Sequence, residues 1–207
     1  RIITLTSDYG ADSLYAAALR GTIISRDPSI RIVDISHTIS PFDTNQAAFA
    51  LRSTASHFPK GTVHLIAMNS NQTGDYLHRV MELAGQFYVA LDDGIFSLIA
   101  DREPEAVYDI TVTSESDILT FPERHIFAQV ACHLVQGGVP AVIGRPATGW
   151  VESEWQRPLI GTDYVQGIVL HVDTYGNLIT NIDQRTFREV GKDRSFRIPL
   201  RTSRMDV

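Results

Sequence analysis

The sequence is poor in cysteine, in clustered basic residues and in long apolar runs, and each absence narrows the possible functions. Its 207 residues include one cysteine, Cys132, so an internal disulfide is excluded and a reducing compartment, the cytoplasm, is expected. No apolar stretch approaches the length of a membrane span, and no signal peptide is evident. The formal net charge is −6 and Lys and Arg are dispersed, so nucleic acid and anionic membranes are poor partners. A cationic small molecule is compatible with this charge.

The sequence motifs of several enzyme classes are absent as well. Gly94, Gly144 and Gly161 lie in no GxGxxG or Walker pattern, which leaves a phosphate-binding loop without support. Ser7 and Ser36 do not sit in a nucleophile elbow, so the chemistry of a serine hydrolase is not indicated.

Four acidic and histidine residues leave a metal-dependent phosphohydrolase open as a remote alternative, because carboxylates and imidazoles at strand ends build such sites. The chain has no HxH or HExxH pair, however. We therefore favour the interpretation that Asp34 and His37 fix a loop by hydrogen bonds and that His64 is a half-buried strand histidine, and we expect no metal. The four residues are Asp8, Asp34, His37 and His64.

The first half of the chain alternates strand and helix signals in an ordinary globular composition, with 43% apolar and 20% charged residues. Helical periodicity predicts helices over about 13–26, after the capping carboxylate of Asp43, and around Phe127. The alternation predicts an α/β fold whose mostly parallel sheet is covered on both faces. Segments rich in Ile, Val and aromatic residues predict its strands, at 2–6, 30–35, 63–68 and 87–90.

The pattern of predicted secondary structure changes after about residue 150. The segments 167–173 and 178–182 are strand-like, with short turns and no helical period. We therefore predict an N-terminal α/β domain over 1–155 and a smaller C-terminal all-β, barrel-like domain over 165–207. We expect the second domain to be incomplete.

Polar motifs follow several of the predicted strands. Asp8 lies in the turn after the first predicted strand. Three further polar motifs stand at the ends of other strands, and they contain His37, Asp92 and Asp173. The carboxyl ends of parallel strands meet at one edge of a sheet, which is where ligands of α/β proteins bind. The residues alone therefore indicate an α/β protein that binds a small molecule with carboxylates, and we expect it to be an enzyme.

Taken together, several segments resemble the family of S-adenosylmethionine hydroxide adenosyltransferases and their halogenase relatives, the fluorinases and chlorinases. The order and spacing of these segments span nearly the whole chain. They are Thr6-Ser7-Asp8-Tyr9-Gly10, Ile32-Val33-Asp34-Ile35-Ser36-His37 with Pro41-Phe42-Asp43, Phe58-Pro59-Lys60-Gly61-Thr62-Val63-His64, Asp92-Asp93-Gly94 and Asp173-Thr174-Tyr175-Gly176-Asn177-Leu178-Ile179-Thr180-Asn181-Ile182.

The resemblance implies an N-terminal α/β sandwich, a C-terminal β-barrel domain and a homotrimer that binds S-adenosylmethionine between subunits. By position in the matching motifs, Asp8 would hold the ribose hydroxyls and Phe42 would line the ribose side of the pocket. Asp173 would pair with the methionine ammonium, Tyr175 would stack on adenine, and Asn177 would bind its polar edge. The implied reaction is a nucleophilic substitution at the ribose 5′ carbon, with methionine as the leaving group and no metal.

The sequence departs from the resembled family at the residues that activate water. The hydroxide-transferring members carry an Asp-Arg-His triad, and the corresponding positions here are Asn69, Tyr76 and Pro122. We predict that Glu123 acts as the base and that Asn69 orients the water. An alternative is that Glu123 points into solvent, forms the N-terminal turn of a helix and takes no part in the chemistry. Alternatives are a base system rebuilt from Arg79, Arg124 or His125, a halide-using enzyme, and a catalytically silent protein that binds S-adenosylmethionine or adenosine.

Overall fold

The N-terminal part of the chain forms one seven-stranded sheet in the order β2-β1-β3-β5-β4-β6-β7. The computed structural model describes residues 1–68, 76–113, 121–192 and 194–200. Strands β2, β1, β3 and β5 run parallel, and β4, β6 and β7 continue the sheet in antiparallel pairs. The strands are β1 Ile2–Ser7, β2 Arg31–Ser36, β3 Val63–Ala67, β4 His78–Leu83, β5 Gln86–Leu91, β6 Ala106–Ile110 and β7 Gly144–Pro146.

Helices cover both faces of this sheet. Leu65 and Ala67 of β3 belong to one apolar layer and Ile66 to the other, because successive strand residues point to opposite faces. One layer contains α1 and α4, and the other contains α2 and α3. The helices are α1 Leu14–Arg26, α2 Thr44–Thr54, α3 Ile95–Ile99 and α4 Ala128–Val135.

Short polar side chains fix where the two longest of these helices begin. Ser13 caps α1 by accepting a hydrogen bond from the Tyr15 amide at 3.1 Å. Asp43 caps α2 by accepting one from the Gln46 amide at 2.9 Å, so the predicted capping carboxylate is confirmed. Each helix therefore starts just after the turn that follows a parallel strand.

The chain divides into two units, Arg1–Trp155 and Gln156–Val207. The second unit contains two small antiparallel pairs, β8 with β9 and β10 with β11, and a helix that the sequence analysis did not identify. Among the described residues, none of the helices combines the length and the apolar character needed to cross a membrane. The elements of this unit are β8 Leu159–Ile160, β9 Val165–Gln166, β10 Val169–Val172, β11 Leu178–Thr180 and α5 Gln184–Gly191.

The fold class agrees with the prediction of an α/β protein with a mostly parallel sheet and a smaller second part. The second part is not all-β as predicted, because it contains α5. The four predicted strands of the first half differ from β1, β2, β3 and β5 only at their terminal residues. The antiparallel strands β4, β6 and β7 were not identified from the sequence. They extend the sheet on the side away from β2.

His64 is the second residue of β3, and the expectation that it is half-buried is wrong. Its side chain is fully buried, its Nδ1 lies 2.7 Å from the Thr4 hydroxyl, and its ring stacks on Tyr88 at 4.7 Å. Burial lowers the pKa of His64 from 6.5 to about 4, and the neighbouring Gln86 side chain opposes this only in part. The neutral imidazole is therefore the stable form in the folded protein.

We predict that His64 makes the protein less stable as the pH falls from 6.5 to about 4. In this window the unfolded chain protonates the histidine and the folded chain does not, so the unfolded state binds more protons. The shift corresponds to about 3 kcal/mol of unfolding free energy. Urea unfolding across this range measures the slope. His64→Gln should flatten it, whereas His57→Gln, at an exposed histidine, should not. An equal slope in His64→Gln and the wild type would contradict the assignment.

Candidate functional site

The candidate site lies at the carboxyl ends of the parallel strands. The chain passes from β1 outward to β2 and then returns across β1 to β3, so this edge is a topological switch point, where ligands bind in open α/β sheets. Asp8 follows β1, His37 follows β2 and Asp92 follows β5. Asn69 follows β3 but lies outside the described residues.

Asp8 and Phe42 lie next to each other at this edge. Asp8 is half-buried, and its Oδ2 accepts a hydrogen bond from the Phe42 amide at 3.2 Å. Phe42 has φ +64°, a left-handed conformation that few residues other than glycine adopt, and its side chain is 67% exposed. Such strain is typical of ligand-binding turns. The structure thus brings together the two residues that the resemblance assigns to the ribose.

A hydrogen-bonded chain of four side chains lies directly beneath this turn. The Ser7 hydroxyl lies 2.6 Å from His37 Nδ1, and His37 Nε2 lies 3.0 Å from an Asp34 oxygen. Arg20 binds both oxygens of Asp34, from Nε at 3.2 Å and from Nη2 at 2.6 Å. Partial burial alone would raise the pKa of Asp34, but the hydrogen bonds from Arg20 and His37 outweigh it and lower the pKa.

These four hydrogen-bonded side chains also bear on two alternative functions, a serine hydrolase and a metal-dependent phosphohydrolase. Ser7, His37 and Asp34 have the connectivity of a hydrolase triad, but the Ser7 side chain is buried and offers no access to a substrate carbonyl. Two of the residues considered for a metal site already have other partners. Asp34 is bound by the Arg20 guanidinium, whose positive charge disfavours a nearby cation, and His64 Nδ1 is hydrogen-bonded to the Thr4 hydroxyl. Within the described ranges, no three His, Cys, Asp or Glu side chains are arranged to hold a metal.

Glu123 is fully buried, so the alternative in which it points into solvent is wrong. It opens a π-helical turn, Glu123–Phe127, that runs directly into α4. Burial raises the pKa of Tyr9, and the carboxylates of Glu123 and then of Asp8 raise it further. The Tyr9 phenol therefore stays protonated and can donate to an anion. Glu123, Tyr9 and Asp8 interact electrostatically at one end of the sheet.

An aromatic cluster surrounds Tyr9. Its ring centroid lies 5.7 Å from that of Tyr15 and 5.9 Å from that of Phe121, in tilted and edge-on geometry. The third pair of the cluster, Tyr15 with Phe121, is also edge-on, at 5.4 Å. These rings bring the start of the Glu123 turn against the turn that carries Asp8.

Three further residues, Arg79, Arg124 and His125, were considered as parts of an alternative group that activates water. Arg79 is bound to two carboxylates, Asp92 and Asp109, and it holds β4 to its two neighbouring strands. Burial alone would lower the pKa of Arg79, but the hydrogen bonds to both carboxylates raise it, so it cannot act as a base. Arg124 is exposed and His125 is half-exposed. Pro122, at a triad position of the resembled family, is buried and has no proton to exchange.

The Asp173 motif forms a closed turn in the second unit. Asp173 Oδ1 accepts hydrogen bonds from the amides of Tyr175 at 2.9 Å and Asn177 at 2.8 Å, and its Oδ2 accepts one from the Asn177 side chain at 2.6 Å. These bonds, first those from Asn177, lower the pKa of Asp173. The Tyr175 side chain is 91% exposed and its ring is accessible to a ligand.

Sequence reasoning missed Arg20 and the participation of Ser7 and His37 in one network. The available signal was a charged residue, Arg20, between the core residues Leu19 and Ile23 of α1. Its partner Asp34 lies between the apolar residues Val33 and Ile35 of β2. Neither residue belongs to a short motif that would connect them.

Comparison with known proteins gives matches over nearly the whole chain. Residues 3–144 match the N-terminal domain of the SAM (S-adenosylmethionine) hydroxide adenosyltransferase family, and residues 167–206 match its C-terminal domain. The chain is 30% identical to an (R)-S-adenosyl-L-methionine hydrolase of Thermus thermophilus, covering 97% of this chain and 82% of that protein. It is 28% identical to the protein of the same name from Methanocaldococcus jannaschii, covering 90% of this chain and 70% of that protein.

A halogenase and a solved structure are also similar to this chain. A fluorinase of Actinoplanes is 24% identical, over 92% of this chain and 74% of that protein. An uncharacterized conserved protein of Thermotoga maritima superimposes with a TM-score of 0.82 at 28% identity, covering 92% of this chain and 74% of that one. The chain is therefore similar in sequence both to hydrolases and to a fluorinase.

Proposed function

The chain belongs to the S-adenosylmethionine hydroxide adenosyltransferase family, and we propose that it cleaves S-adenosylmethionine with water to give adenosine and methionine. The water oxygen forms a bond to the ribose 5′ carbon while the bond from that carbon to sulfur breaks. The electron pair of the broken bond goes to sulfur, so methionine leaves as a neutral thioether. Because the leaving group needs no proton, catalysis depends on positioning, exclusion of bulk water and activation of the nucleophile.

The buried Glu123 carboxylate is the observation that favours water over halide. A carboxylate in a low-dielectric site repels a halide as the halide loses its hydration shell. The same group accepts a proton from water, and burial of a carboxylate generally makes it a stronger base. Glu123 takes the proton released by the attacking water, and Asn69 orients that water. Tyr9 lies beside Glu123 and stabilises the negative charge there with its phenol proton.

Binding is assigned to residues on both units. Asp8 accepts hydrogen bonds from the ribose hydroxyls, and the exposed ring of Phe42 packs on the ribose. Asp173 binds the methionine ammonium, since a carboxylate has about four acceptor sites and the turn uses three of them. Tyr175 stacks on adenine, and Asn177 binds its polar edge.

A homotrimer with its sites between subunits is part of the proposal. The exposure of Phe42 and of Tyr175 supports it, because both rings are free to cover a ligand held partly by another subunit. Sedimentation equilibrium at micromolar concentration with and without S-adenosylmethionine measures the assembly. A monomer that binds the ligand tightly would be incompatible with shared sites.

Cytoplasmic location is also part of the proposal. It is based on the single cysteine, Cys132, which is buried and free.

The function is tested by incubating the protein with S-adenosylmethionine and following the products chromatographically, with and without chloride. We expect adenosine and methionine in equal amounts, at a rate that does not depend on chloride. Formation of 5′-chloroadenosine would identify a halide-using enzyme instead. Tight binding without turnover would identify a silent binding protein, the alternative favoured by the loss of the family triad.

Glu123→Gln should abolish adenosine release in this assay and leave the affinity for S-adenosylmethionine nearly unchanged, because the amide keeps the shape of the side chain and loses the basic oxygen. General-base catalysis typically contributes about a hundredfold to ten-thousandfold to the rate. Glu103→Gln, at an exposed glutamate, is the matched control and should retain full turnover. Full turnover in Glu123→Gln would refute its assignment as the base.

Asp8→Ala should abolish ligand binding and leave the fold intact. Loss of a charged hydrogen-bonding group typically removes on the order of 2–5 kcal/mol of binding free energy. Isothermal titration calorimetry with S-adenosylmethionine measures the affinity, and circular dichroism checks the fold. Asp12→Ala, at an exposed carboxylate just beyond the same turn, should bind normally. Unchanged affinity in Asp8→Ala would show that this carboxylate does not hold the ribose.

A further inference from the structure

The turn that carries Asp8 is attached to His37 by two separate hydrogen bonds. The Ser7 hydroxyl precedes Asp8 and lies 2.6 Å from His37 Nδ1. The Gly10 amide follows Asp8 and donates to the His37 carbonyl at 2.7 Å. The position of Asp8 therefore depends on the position of His37.

The far end of the His37 ring is held by an ion pair. Its Nε2 lies 3.0 Å from Asp34 Oδ1 and 2.8 Å from Arg20 Nη2. Asp34 can only accept and favours a proton on Nε2, whereas Arg20 can only donate and favours an Nε2 without one. The Ser7 hydroxyl can donate or accept, so it is hydrogen-bonded to Nδ1 in either tautomer, and its oxygen also accepts the Tyr9 amide at 3.4 Å. The connection from the ion pair to the turn therefore exists in both tautomers.

The ion pair at the end of this path contributes little to stability by itself. The side chains of Arg20 and Asp34 are 31% and 41% exposed, and ion pairs with such access to solvent are weak. His37 and Ser7 are buried, so the imidazole transmits the geometry of a surface ion pair to a buried hydroxyl. The arrangement is therefore suited to fixing the position of the turn that carries Asp8.

We propose that Arg20, Asp34, His37 and Ser7 form a positioning network that fixes the Asp8 carboxylate for binding the ribose hydroxyls. This inference rests on the proposed function, in which Asp8 binds the ribose. The four residues do not touch the reacting atoms. Their loss should therefore raise KM and Kd and leave kcat nearly unchanged, because ribose binding is the same in the ground state and the transition state.

The chain offers a matched control on the same strand. Thr4 lies three residues before Ser7, and its hydroxyl lies 2.7 Å from Nδ1 of the buried His64. This hydroxyl–imidazole contact resembles that of Ser7, but its imidazole is stacked within the core and is not joined to an ion pair. Thr4→Val and Ser7→Ala each remove one buried hydroxyl. Only Ser7→Ala removes a hydrogen bond between His37 and the turn that carries Asp8.

The experiment compares Ser7→Ala, Arg20→Met, their double variant and Thr4→Val by calorimetry with S-adenosylmethionine, steady-state kinetics and urea unfolding. We expect Ser7→Ala to weaken binding roughly fivefold to tenfold and Arg20→Met about threefold. The double variant should lose less affinity than the sum of the two single losses, because Arg20 and Ser7 act through the same imidazole. Thr4→Val should lose stability and keep its affinity. Arg26→Met, at an exposed arginine on α1, should change neither.

Two outcomes separate the inference from the function on which it rests. A wild type that binds neither S-adenosylmethionine nor adenosine would overturn both. A wild type that binds and depends on Asp8, with Ser7→Ala and Arg20→Met unchanged in affinity, would overturn the network alone. Additive losses in the double variant would likewise show that Arg20 and Ser7 act independently.

Discussion

The burial of strand β1 on both faces is the constraint on which the rest of the N-terminal unit depends. Its residues pair with β2 on one side and β3 on the other, and the side chains from Ile3 to Ser7 are almost entirely excluded from solvent. A strand held in this way cannot shift its register without exposing its apolar face. Its last residue therefore lies at a fixed point of the sheet edge, and the turn that carries Asp8 begins there.

Two kinds of polar environment meet at this edge. Asp8, Asp34 and Arg20 retain contact with solvent and form hydrogen bonds that a ligand can join or replace. Glu123 is excluded from water and lies at the start of a helix beside an aromatic cluster. A solvated carboxylate is suited to binding hydroxyl groups, and a buried one is suited to taking a proton. The proposed division between binding and catalysis follows this difference in solvation.

The relation to hydrolases and to a fluorinase sets the limits of the chemistry. In the proposed reaction water and a halide would attack the same ribose 5′ carbon, so the surroundings of the nucleophile decide between them. In the proposed site those surroundings include the buried Glu123 and the phenol of Tyr9, whose pKa is raised by burial and by that carboxylate. A dry site with a carboxylate favours a neutral nucleophile over an anionic one.

The sequence predicted the elements whose signals are local. The parallel strands and α1 follow from apolar periodicity, and the start of α2 follows from the carboxylate of Asp43, because each depends on residues close together in the chain. The sequence did not indicate α5, whose side chains are mostly polar, or the short antiparallel strands β6 and β7. Their formation depends on neighbours that only the folded chain supplies.

The candidate site divides in the same way. The residues alone indicated Asp8 and other polar groups at strand ends as candidates to face a ligand, and resemblance to a family indicated the ligand and the roles of Phe42 and the Asp173 turn. Only the tertiary structure decided that Glu123 is buried, and that Ser7 meets His37 across thirty positions of the chain. Solvent exclusion and hydrogen bonds between distant residues arise from packing, and no local pattern of residue types encodes them. The sequence by itself therefore determined the fold class and the proposed ligand-binding motifs, and the tertiary structure determined which polar groups are excluded from water and which are hydrogen-bonded to one another.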